Sequence, residues 1–380
     1  MNILFLVSSM EGGGAERVAA LLSNAWVARG DNVTLMPTFS GRGGVSYPLS
    51  AGVDLHFLAD DVGGNTGRVA RIKALRKFIV KMRPDVIISF LPHVNIAALM
   101  AAWGTGVPVV ACERTFPPMQ HPPLPLSYRI LRYFFYRKAA LLVGQSDEAL
   151  GWFAQHFNGV PTAKVLNYIE VPLPISNQNI MPKNALPPDK EILLSVGRLV
   201  RSKRHHILID AFARIAKTRL DWDLVILGEG EERPALEAQI KNHALEGRVH
   251  LLGRVGNLDD WYRRAAMFCL ASSYEGFPNA LLEAMGYGLP SIAFDIKTGP
   301  RDIMDGGRMG VLLPDDAHEK RLSEALSNLM NDPDQRLALA AHAPEIRQTY
   351  SMDAILKMWD KAMAMAISSS DAPKIGGEKR

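Results

Sequence analysis

The sequence contains little that could form covalent or metal cross-links. Only two of its 380 residues are cysteine, and both, Cys112 and Cys269, lie in apolar runs typical of buried strands. We therefore expect two small buried hydrophobic side chains, and neither a disulfide framework nor a cysteine-based metal site.

Long apolar runs are also missing. No segment approaches the roughly 18 apolar residues that a transmembrane helix needs. Residues 1–7 lack a basic region and are too short for a signal peptide, so they predict a first buried strand. With hydrophobic residues at 48% and charged residues at 22%, the composition is typical of a globular protein, and we expect it to be cytoplasmic.

A strong charge of one sign is absent as well. The net charge is +4 and no recognised nucleic-acid module accompanies it, so we expect no nucleic-acid partner. Basic residues nonetheless concentrate in two segments: 68–83, which contains no acid, and 128–138, which mixes aromatic and basic residues. Both fit an anionic membrane surface or a diphosphate-bearing acceptor. A solvated basic helix and a core aromatic helix explain them equally well.

Strand-like and helical patterns alternate along the chain, which is too long for one ordinary core. Such alternation predicts an α/β fold with parallel sheets covered by helices on both faces. The predicted strands are residues 3–7, 33–36, 86–90, 107–112, 141–144, 192–196, 224–227, 249–252, 267–271 and 291–294.

A proline-rich stretch separates two halves of this alternation and predicts a linker over residues 172–190. The expected domains are 1–171 and 191–350. A helical pattern over 351–367 is expected to return to the first domain, and residues 368–380 are expected to be disordered.

Residues 274–290 are the most informative segment, because they carry two carboxylates across a predicted strand-to-helix turn. The apolar run that ends near Ala271 predicts a strand, and the spacing from Asn279 onward predicts a helix. Amide groups at a helix start bind phosphate, whereas a carboxylate accepts hydrogen bonds from hydroxyl groups. We therefore expect a diphosphate near Asn279–Leu281 and hydroxyl-bearing rings near Glu275 and Glu283.

Two cations follow another predicted strand. Arg198 and Lys203 stand five positions apart before a predicted helix over 207–215, a spacing that allows both to meet a diphosphate. We expect Arg201 and Arg204 to be solvated.

The glycines at positions 12–14 follow the first predicted strand and allow a ligand to approach the backbone closely. They do not complete the G-x-G-x-x-G pattern, because Arg17 occupies its last position. This disfavours a nicotinamide or flavin enzyme, and a tight turn without a ligand remains open.

Apparent metal signals are weak. Asp221-Trp222-Asp223 leads directly into a predicted strand, and no second cluster completes a ligand set around His205, His206 and Asp210. We predict no metal and no cofactor.

The pattern E-G-F-P-N-A-L-L-E-A-M, followed by G-L-P, resembles the donor site of retaining family 4 glycosyltransferases. This resemblance implies the GT-B fold, in which two doubly wound Rossmann-like domains face a central cleft. It places Glu275 near the donor hexose and Glu283 on the ribose hydroxyls, and it makes Arg198 and Lys203 the phosphate-binding cations. Arg204 and His205 depart from the family pattern, which often has glycine after the lysine.

The resemblance extends to further residues. It implies a catalytic-site role for His93, with an ordinary loop histidine as the open alternative. It also implies an acceptor-side role for Glu113 and Arg114, in a segment similar to that of relatives acting on lipid-linked sugars. The donor-binding residues that it implies are Gly12, Gly13, Gly14, Arg254, Val255, Gly276, Phe277, Asn279, Ala280, Leu281 and Glu283.

These observations together predict transfer of a hexose or N-acetylhexosamine from a nucleotide diphosphate sugar to a glycan hydroxyl. The acceptor is expected to be linked to polyprenyl diphosphate at the inner face of the cytoplasmic membrane. Uridine is preferred by family association, and guanosine remains open. The alternatives are a nucleotide-sugar epimerase of the same fold and a silent adaptor that binds membranes or glycans.

Overall fold

The computed structural model describes residues 1–11, 13–38, 43–63, 67–119, 123–175, 178–316 and 318–371. Of residues 370 and 371 it describes only the backbone. The chain divides into two compact units. The first contains Met1–Asn167 and the segment from Ile355 onward, and the second contains Tyr168–Ala354.

The first unit is built on a seven-stranded parallel sheet. Its elements are β1 (Asn2–Val7), α1 (Gly14–Ala28), β2 (Asn32–Pro37), β3 (Val53–Leu55), α2 (Leu58–Asp61), α3 (Arg68–Met82), β4 (Val86–Phe90), α4 (Pro92–Ala102), β5 (Val109–Cys112), α5 (Leu126–Phe135), β6 (Leu141–Gly144), α6 (Asp147–His156) and β7 (Thr162–Lys164).

The second unit contains a six-stranded parallel sheet. Its elements are α7 (Pro182–Ala185), β8 (Glu191–Val196), α8 (His205–Ile215), β9 (Trp222–Leu227), α9 (Arg233–Asn242), β10 (Val249–Gly253), α10 (Leu258–Arg264), β11 (Met267–Leu270), α11 (Asn279–Gly286), β12 (Ser291–Asp295), α12 (Pro300–Ile303), β13 (Val311–Pro314), α13 (Glu319–Asn331), α14 (Pro333–Ala340) and α15 (Ala343–Thr349), after which α16 (Met352–Asp371) begins.

The predicted pair of doubly wound parallel-sheet domains is confirmed. Each predicted strand corresponds to an observed one, because strands buried on both faces read as continuous apolar runs. Three short strands, β3, β7 and β13, were not predicted. They lie at or near sheet edges and have three or four residues each, mostly half-buried, so their apolar signal is weak.

Helix α16 packs into the first unit through Trp359. Its indole meets Trp26 edge-on at 5.7 Å and stacks on Phe90 at 6.2 Å between ring centroids. The guanidinium of Arg29 also pairs with Asp360 at 2.6 Å. The helix continues to Asp371, so the prediction of disorder is wrong for residues 368–371, while 372–380 lie outside the described residues.

The predicted linker is part of the second unit. The side chain of Asn257 accepts a hydrogen bond from the Ile180 N–H at 3.0 Å and donates one to its carbonyl at 3.1 Å. The indole of Trp261 donates to the same carbonyl at 2.9 Å. Because these polar groups fix the backbone of Ile180, this part of the segment packs against α10 despite the nearby prolines.

Strand order reverses once in each sheet. The first sheet has the order β3-β2-β1-β4-β5-β6-β7, and the second has β10-β9-β8-β11-β12-β13. The loops that follow β1 and β4, and those that follow β8 and β11, therefore diverge at the carboxyl edges, where such folds bind ligands. Among the described residues no helix combines the length and apolar character needed to cross a bilayer.

Candidate donor site

Two residues predicted to act on a donor form an ion pair. The ammonium group of Lys203, at the end of a short 3₁₀ turn, donates to Glu275 Oε1 at 2.5 Å. The hydroxyl of Ser272 donates to the same oxygen at 2.6 Å. The pair is largely but not fully buried, so it combines opposite charges at the point where strand order reverses.

The loops that carry this pair are joined by their backbones. The amide and hydroxyl of Ser273 both donate to the carbonyl of Ser202, at 2.8 and 3.0 Å. From the other side, the hydroxyl of Thr298 donates to the carbonyl of Glu275. The Ser273 contacts hold the loop after β11 against the loop after β8, and the Thr298 contact holds it against the loop after β12, without depending on the ion pair.

Arg198 stands on a loop whose backbone is packed by two glycines that sequence analysis did not identify. A Cβ at Gly228 would lie 1.9 Å from the Gly197 carbonyl oxygen, and one at Gly230 would lie 2.2 Å from that of Leu199. Gly228 also has a φ of +149°, which side chains rarely tolerate. The sequence signal for these two glycines was the G-x-G pattern that follows strand β9. Their close approach to the backbone fixes the loop from which Arg198 projects.

The Arg198 side chain is exposed, and no hydrogen bond or ion pair engages its guanidinium within the described part of the chain. This distinguishes it from Arg204, which pairs with Asp315 at 2.7 Å, and from Arg201, which is 74% exposed and lies 3.7 Å from Glu232. Arg198 is therefore a guanidinium available to an anion, in the same loop as Lys203.

His205 lies directly behind this loop. It is buried at the first position of α8, and its ring faces the backbone of Gly197 and Arg198. Neither ring nitrogen forms a hydrogen bond of acceptable geometry to the described residues. Burial and the nearby Lys203 charge lower the pKa of His205 to about 4, so the ring is neutral near pH 7.

The start of α11 offers fewer free amides than the sequence implied. The Asn279 amide donates to the Phe277 carbonyl at 3.0 Å, and the Leu281 amide donates to that of Pro278 at 3.1 Å. Of the three predicted amides, only that of Ala280 has no acceptor among the described residues.

Glu283 is buried one turn into α11, with 4% of its surface exposed. Its Oε2 accepts a hydrogen bond from the hydroxyl of Tyr262 at 3.0 Å, and the Tyr262 ring stacks on Tyr287 at 5.3 Å. Tyr262 was not identified as a site residue, because an aromatic residue at helical spacing predicts core packing.

The other predicted donor-binding residues of this unit divide by burial. The side chains of Phe277 and Leu281 are buried, the first against the ring of Tyr350, so only their backbones can meet a ligand. Gly276 adjoins Phe277 in the loop after β11. Arg254 is exposed and Val255 buried after β10, and the carbonyl of Gly253 accepts from the Gly228 amide at 2.8 Å.

In the first unit His93 lies at the second position of α4, where its Nε2 is 3.1 Å from the hydroxyl of Ser8. The contact joins the loops after β4 and β1, where the first sheet reverses its order. Burial lowers the pKa of His93. The preceding Leu91 has a φ of +80°, a strained conformation for a leucine that costs about 1–3 kcal/mol.

The predicted glycines of the first unit lie at the start of α1. Gly13 precedes the helix and Gly14 is its first residue. Gly12 lies outside the described residues.

Glu113 and Arg114 are turned into the first unit. Glu113 accepts a hydrogen bond from the Tyr136 hydroxyl at 2.6 Å and lies 3.7 Å from Arg132, and burial raises the pKa of its carboxyl group. Arg114 donates to the Asn167 side chain, its guanidinium lies 4.4 Å from the centre of the Phe90 ring, and burial lowers its pKa to about 10. The Glu113 carboxylate therefore serves a buried network, which differs from the expected acceptor contact.

The apparent metal motif at Asp221–Asp223 is structural. Asp223 is buried in β9 and binds Arg248 at 2.8 Å and His250 at 3.4 Å. Asp210 bonds to Gln239 and His243, at 2.6 and 2.7 Å. These carboxylates are engaged with side chains of their own unit.

The edge of the second sheet therefore presents an available guanidinium, an ammonium–carboxylate pair, one free helix-start amide and a buried carboxylate. Cations and amides suit phosphate oxygens, and carboxylates suit hydroxyl groups. This arrangement suits a ligand that is anionic at one end and hydroxylated at the other.

Comparisons with known proteins agree with this arrangement. Residues 13–167 match the model of the glycosyl transferase 4-like domain, and residues 176–346 match that of glycosyl transferases group 1. The chain belongs to this family of glycosyltransferases. These matches confirm the resemblance to family 4.

Two relatives come from Campylobacter jejuni. One, an N-acetylgalactosamine-N,N'-diacetylbacillosaminyl-diphospho-undecaprenol 4-alpha-N-acetylgalactosaminyltransferase, is 30% identical over 87% of this chain and 91% of its own length. The other, a GalNAc-alpha-(1->4)-GalNAc-alpha-(1->3)-diNAcBac-PP-undecaprenol alpha-1,4-N-acetyl-D-galactosaminyltransferase, is 28% identical over 96% of this chain and 98% of its own length.

Solved structures share the fold. Sucrose-phosphate synthase from Thermosynechococcus elongatus has a TM-score of 0.80 at 17% identity, covering 97% of this chain and 100% of its own. Anabaena HepE in complex with UDP has a TM-score of 0.75 at 18% identity, covering 96% and 100%. The fold is therefore GT-B.

Proposed function

We propose that the chain is a retaining glycosyltransferase that moves a hexose or N-acetylhexosamine from a UDP-sugar to a hydroxyl of a glycan linked to polyprenyl diphosphate. The product would enter cell-surface polysaccharide or glycan biosynthesis. One observation carries the proposal: Arg198 is an available cation in the same loop as Lys203, which pairs with Glu275 where the second sheet reverses strand order. The names of the two Campylobacter relatives support the lipid-linked acceptor and the N-acetylhexosamine, and the HepE complex supports UDP.

Arg198 and Lys203 would stabilise the departing diphosphate. Negative charge grows on the phosphate oxygens as the sugar–phosphate bond breaks, and fixed cations aimed at that charge are worth about 10²- to 10³-fold in rate. The Ala280 amide adds a neutral donor at the start of α11. Because Lys203 is already held by Glu275, it is oriented before the donor binds.

The two glutamates would bind hydroxyl groups. Glu283, held by Tyr262, accepts hydrogen bonds from ribose, and Glu275 orients the hexose. The acceptor hydroxyl then bonds to the anomeric carbon on the face from which the diphosphate departs. The bond between the anomeric carbon and the β-phosphate oxygen breaks, and that oxygen takes the proton of the acceptor hydroxyl.

We further propose that transfer needs no metal and no cofactor, because arginine and lysine supply the positive charge that a divalent cation would otherwise provide. Activity should therefore persist in excess EDTA. Loss of activity in EDTA with recovery on adding Mn²⁺ or Mg²⁺ would contradict this part alone.

A lipid-linked acceptor also implies a position at the membrane. We propose that the enzyme acts as a peripheral protein at the inner face of the cytoplasmic membrane. Support comes from the acceptors in the names of the Campylobacter relatives and from the basic segments 68–83 and 128–138.

The test compares folded variants in a transfer assay. Wild-type protein is incubated with UDP-hexoses and UDP-N-acetylhexosamines and with polyprenyl-diphosphate glycans, and both UDP release and glycan product are measured. Glu275→Gln and Arg198→Ala should lower kcat at least 100-fold. Arg201→Ala is the matched control, since that side chain is exposed in the same loop, and it should retain activity. Wild-type rates in both site variants would refute the proposal.

The two alternatives are tested by a reaction without acceptor and by a thermal-shift measurement. An epimerase converts the UDP-sugar without an acceptor, so an epimerised sugar in the acceptor-free reaction would favour it. A silent adaptor predicts no rise in melting temperature with UDP, GDP or ADP. Substituting His93 by alanine tests the remaining first-unit prediction, which expects a lower kcat.

A further inference from the structure

Helix α5 is apolar on two opposite faces. Tyr128, Leu131 and Phe135 pack against the core of the first unit, and none of the helix residues is fully buried. The opposite face carries an exposed apolar stripe at helical spacing. It consists of Leu126, Ile130, Tyr133 and Phe134, which are 69%, 49%, 52% and 62% exposed.

Basic residues flank this stripe. Arg129 and Lys138 are exposed at its sides, and the guanidinium of Arg137 lies 3.7 Å from the centre of the Tyr133 ring. An exposed apolar stripe flanked by arginine and lysine is the composition of helices that lie in the headgroup layer of a bilayer.

The basic helix α3 approaches the core-facing side of α5. At its first turn, Arg68 lies 5.3 Å from the centre of the Tyr128 ring of α5. Further along, Arg76 donates to the carbonyl of Trp103 at 2.6 Å. Trp103 is 60% exposed and meets the Phe135 ring edge-on at 5.8 Å. These contacts reach α5 through Tyr128 and Phe135, so α3 and Trp103 pack on the face of α5 opposite the stripe.

A groove of about 550 Å³ runs beneath the stripe and is lined mainly by apolar side chains. Its lining includes Pro117, Leu124, Ile130, Phe134 and Trp152. Such a groove extends the apolar contact beyond the helix itself.

We propose that the surface formed by the α5 stripe and its flanking basic residues docks on an anionic phospholipid bilayer. Charge complementarity selects this partner, because Arg129, Arg137 and Lys138 flank apolar and aromatic side chains of the kind that enter the bilayer interface. Leu126, Ile130, Tyr133 and Phe134 enter the interface, and the flanking basic residues supply charge. This inference deepens the proposed membrane location, but its test does not depend on transfer.

Flotation with phospholipid vesicles tests the proposal. Wild-type protein should partition at least tenfold more strongly onto phosphatidylcholine vesicles containing phosphatidylglycerol than onto phosphatidylcholine alone. Ile130→Ser/Phe134→Ser should lower that partition about tenfold or more, because two apolar side chains no longer leave water. Arg129→Gln/Lys138→Gln should lower partition at low salt and weaken its salt dependence.

The matched control is Leu220→Ser/Leu337→Ser, which removes two leucines that are 65% and 70% exposed in the second unit. It should bind vesicles like wild type. Absence of wild-type binding, or equal loss in control and stripe variants, would overturn the proposal. Sedimentation velocity tests whether a second copy of the chain binds this surface instead. If the wild type is a dimer and the stripe variant is a monomer with unchanged vesicle binding, the proposal is also overturned.

Transfer is measured separately with a water-soluble glycan acceptor. The stripe variants should transfer at wild-type rates and melt at the wild-type temperature, since the changed side chains are exposed. Vesicle binding without any transfer by wild type would contradict the proposed function and leave the docking surface supported.

Discussion

Lys203 Nζ lies 2.5 Å from Glu275 Oε1, so the residues predicted to bind phosphate and to orient the sugar hold each other. The contact joins the loop after β8 to the loop after β11, the two strands between which the sheet reverses its order. We therefore expect an anionic donor to encounter a lysine whose position is already set by a carboxylate.

Replacing Lys203 by alanine should remove most of the rise in melting temperature caused by UDP and lower kcat about 10²- to 10³-fold. It also leaves Glu275 without its counter-charge. The double variant Lys203→Ala/Glu275→Gln should then lose less stability than the sum of the single variants, with a coupling of about 0.5–3 kcal/mol. Additive losses in urea unfolding would show that the ion pair contributes nothing.

Gly228→Ala should destabilise the second unit by about 2 kcal/mol or more and weaken UDP binding. The added Cβ meets the Gly197 carbonyl oxygen at 1.9 Å and displaces the loop that presents Arg198. Gly247→Ala is the matched control, because Gly247 also has a positive φ, +76°, but has open space around its Cβ. Equal losses of unfolding free energy and unchanged UDP affinity in both variants would contradict this role.

His205 predicts a dependence of stability on pH. Its pKa is about 4 in the folded protein and about 6.5 in an unfolded chain, so between these values only the unfolded state takes up the proton. Stability therefore falls as pH decreases from about 6.5 to 4, by about 3 kcal/mol at the lower end. His205→Asn should flatten the fall in unfolding free energy over this range.

His206→Asn provides the comparison for His205. The pKa of His206 is also lowered by burial and by the nearby Arg201 charge, but its side chain is only half-buried. We expect a smaller change in the pH dependence. A larger flattening by His206→Asn than by His205→Asn would refute the assignment.

Trp359→Ala should reduce the unfolding free energy by about 3–5 kcal/mol, because a buried indole between Trp26 and Phe90 would be replaced by a cavity. Met365→Ala in the same helix is the control, since that side chain is 42% exposed, and it should change stability by about 0.5 kcal/mol or less. Comparable losses in chemical denaturation would show that α16 does not depend on this aromatic contact.

The sequence predicted well the features that repeat locally. Strands such as β1 and β4 are mostly apolar because both faces are buried, and they were placed within one or two residues. The loop and the helix of residues 275–283 were also predicted, because Gly276, Pro278 and the leucine spacing are local signals.

Side-chain partners were not predictable in this way. Tyr262 reaches Glu283 from a separate helix, and Tyr136 draws the Glu113 carboxylate into the first unit. The proline-rich segment around Ile180 likewise became ordered through Asn257, which is 77 positions away in sequence. No local pattern encodes such contacts.

Spacing along the chain was enough to predict the alternation of elements, the two-domain α/β fold and the family that the site resembles. The pairing of Lys203 with Glu275, the availability of Arg198 and the exposed apolar face of α5 became known from contacts in three dimensions. Those outcomes depend on which loops and helices meet in space, and parallel strand order brings together residues that are distant in sequence.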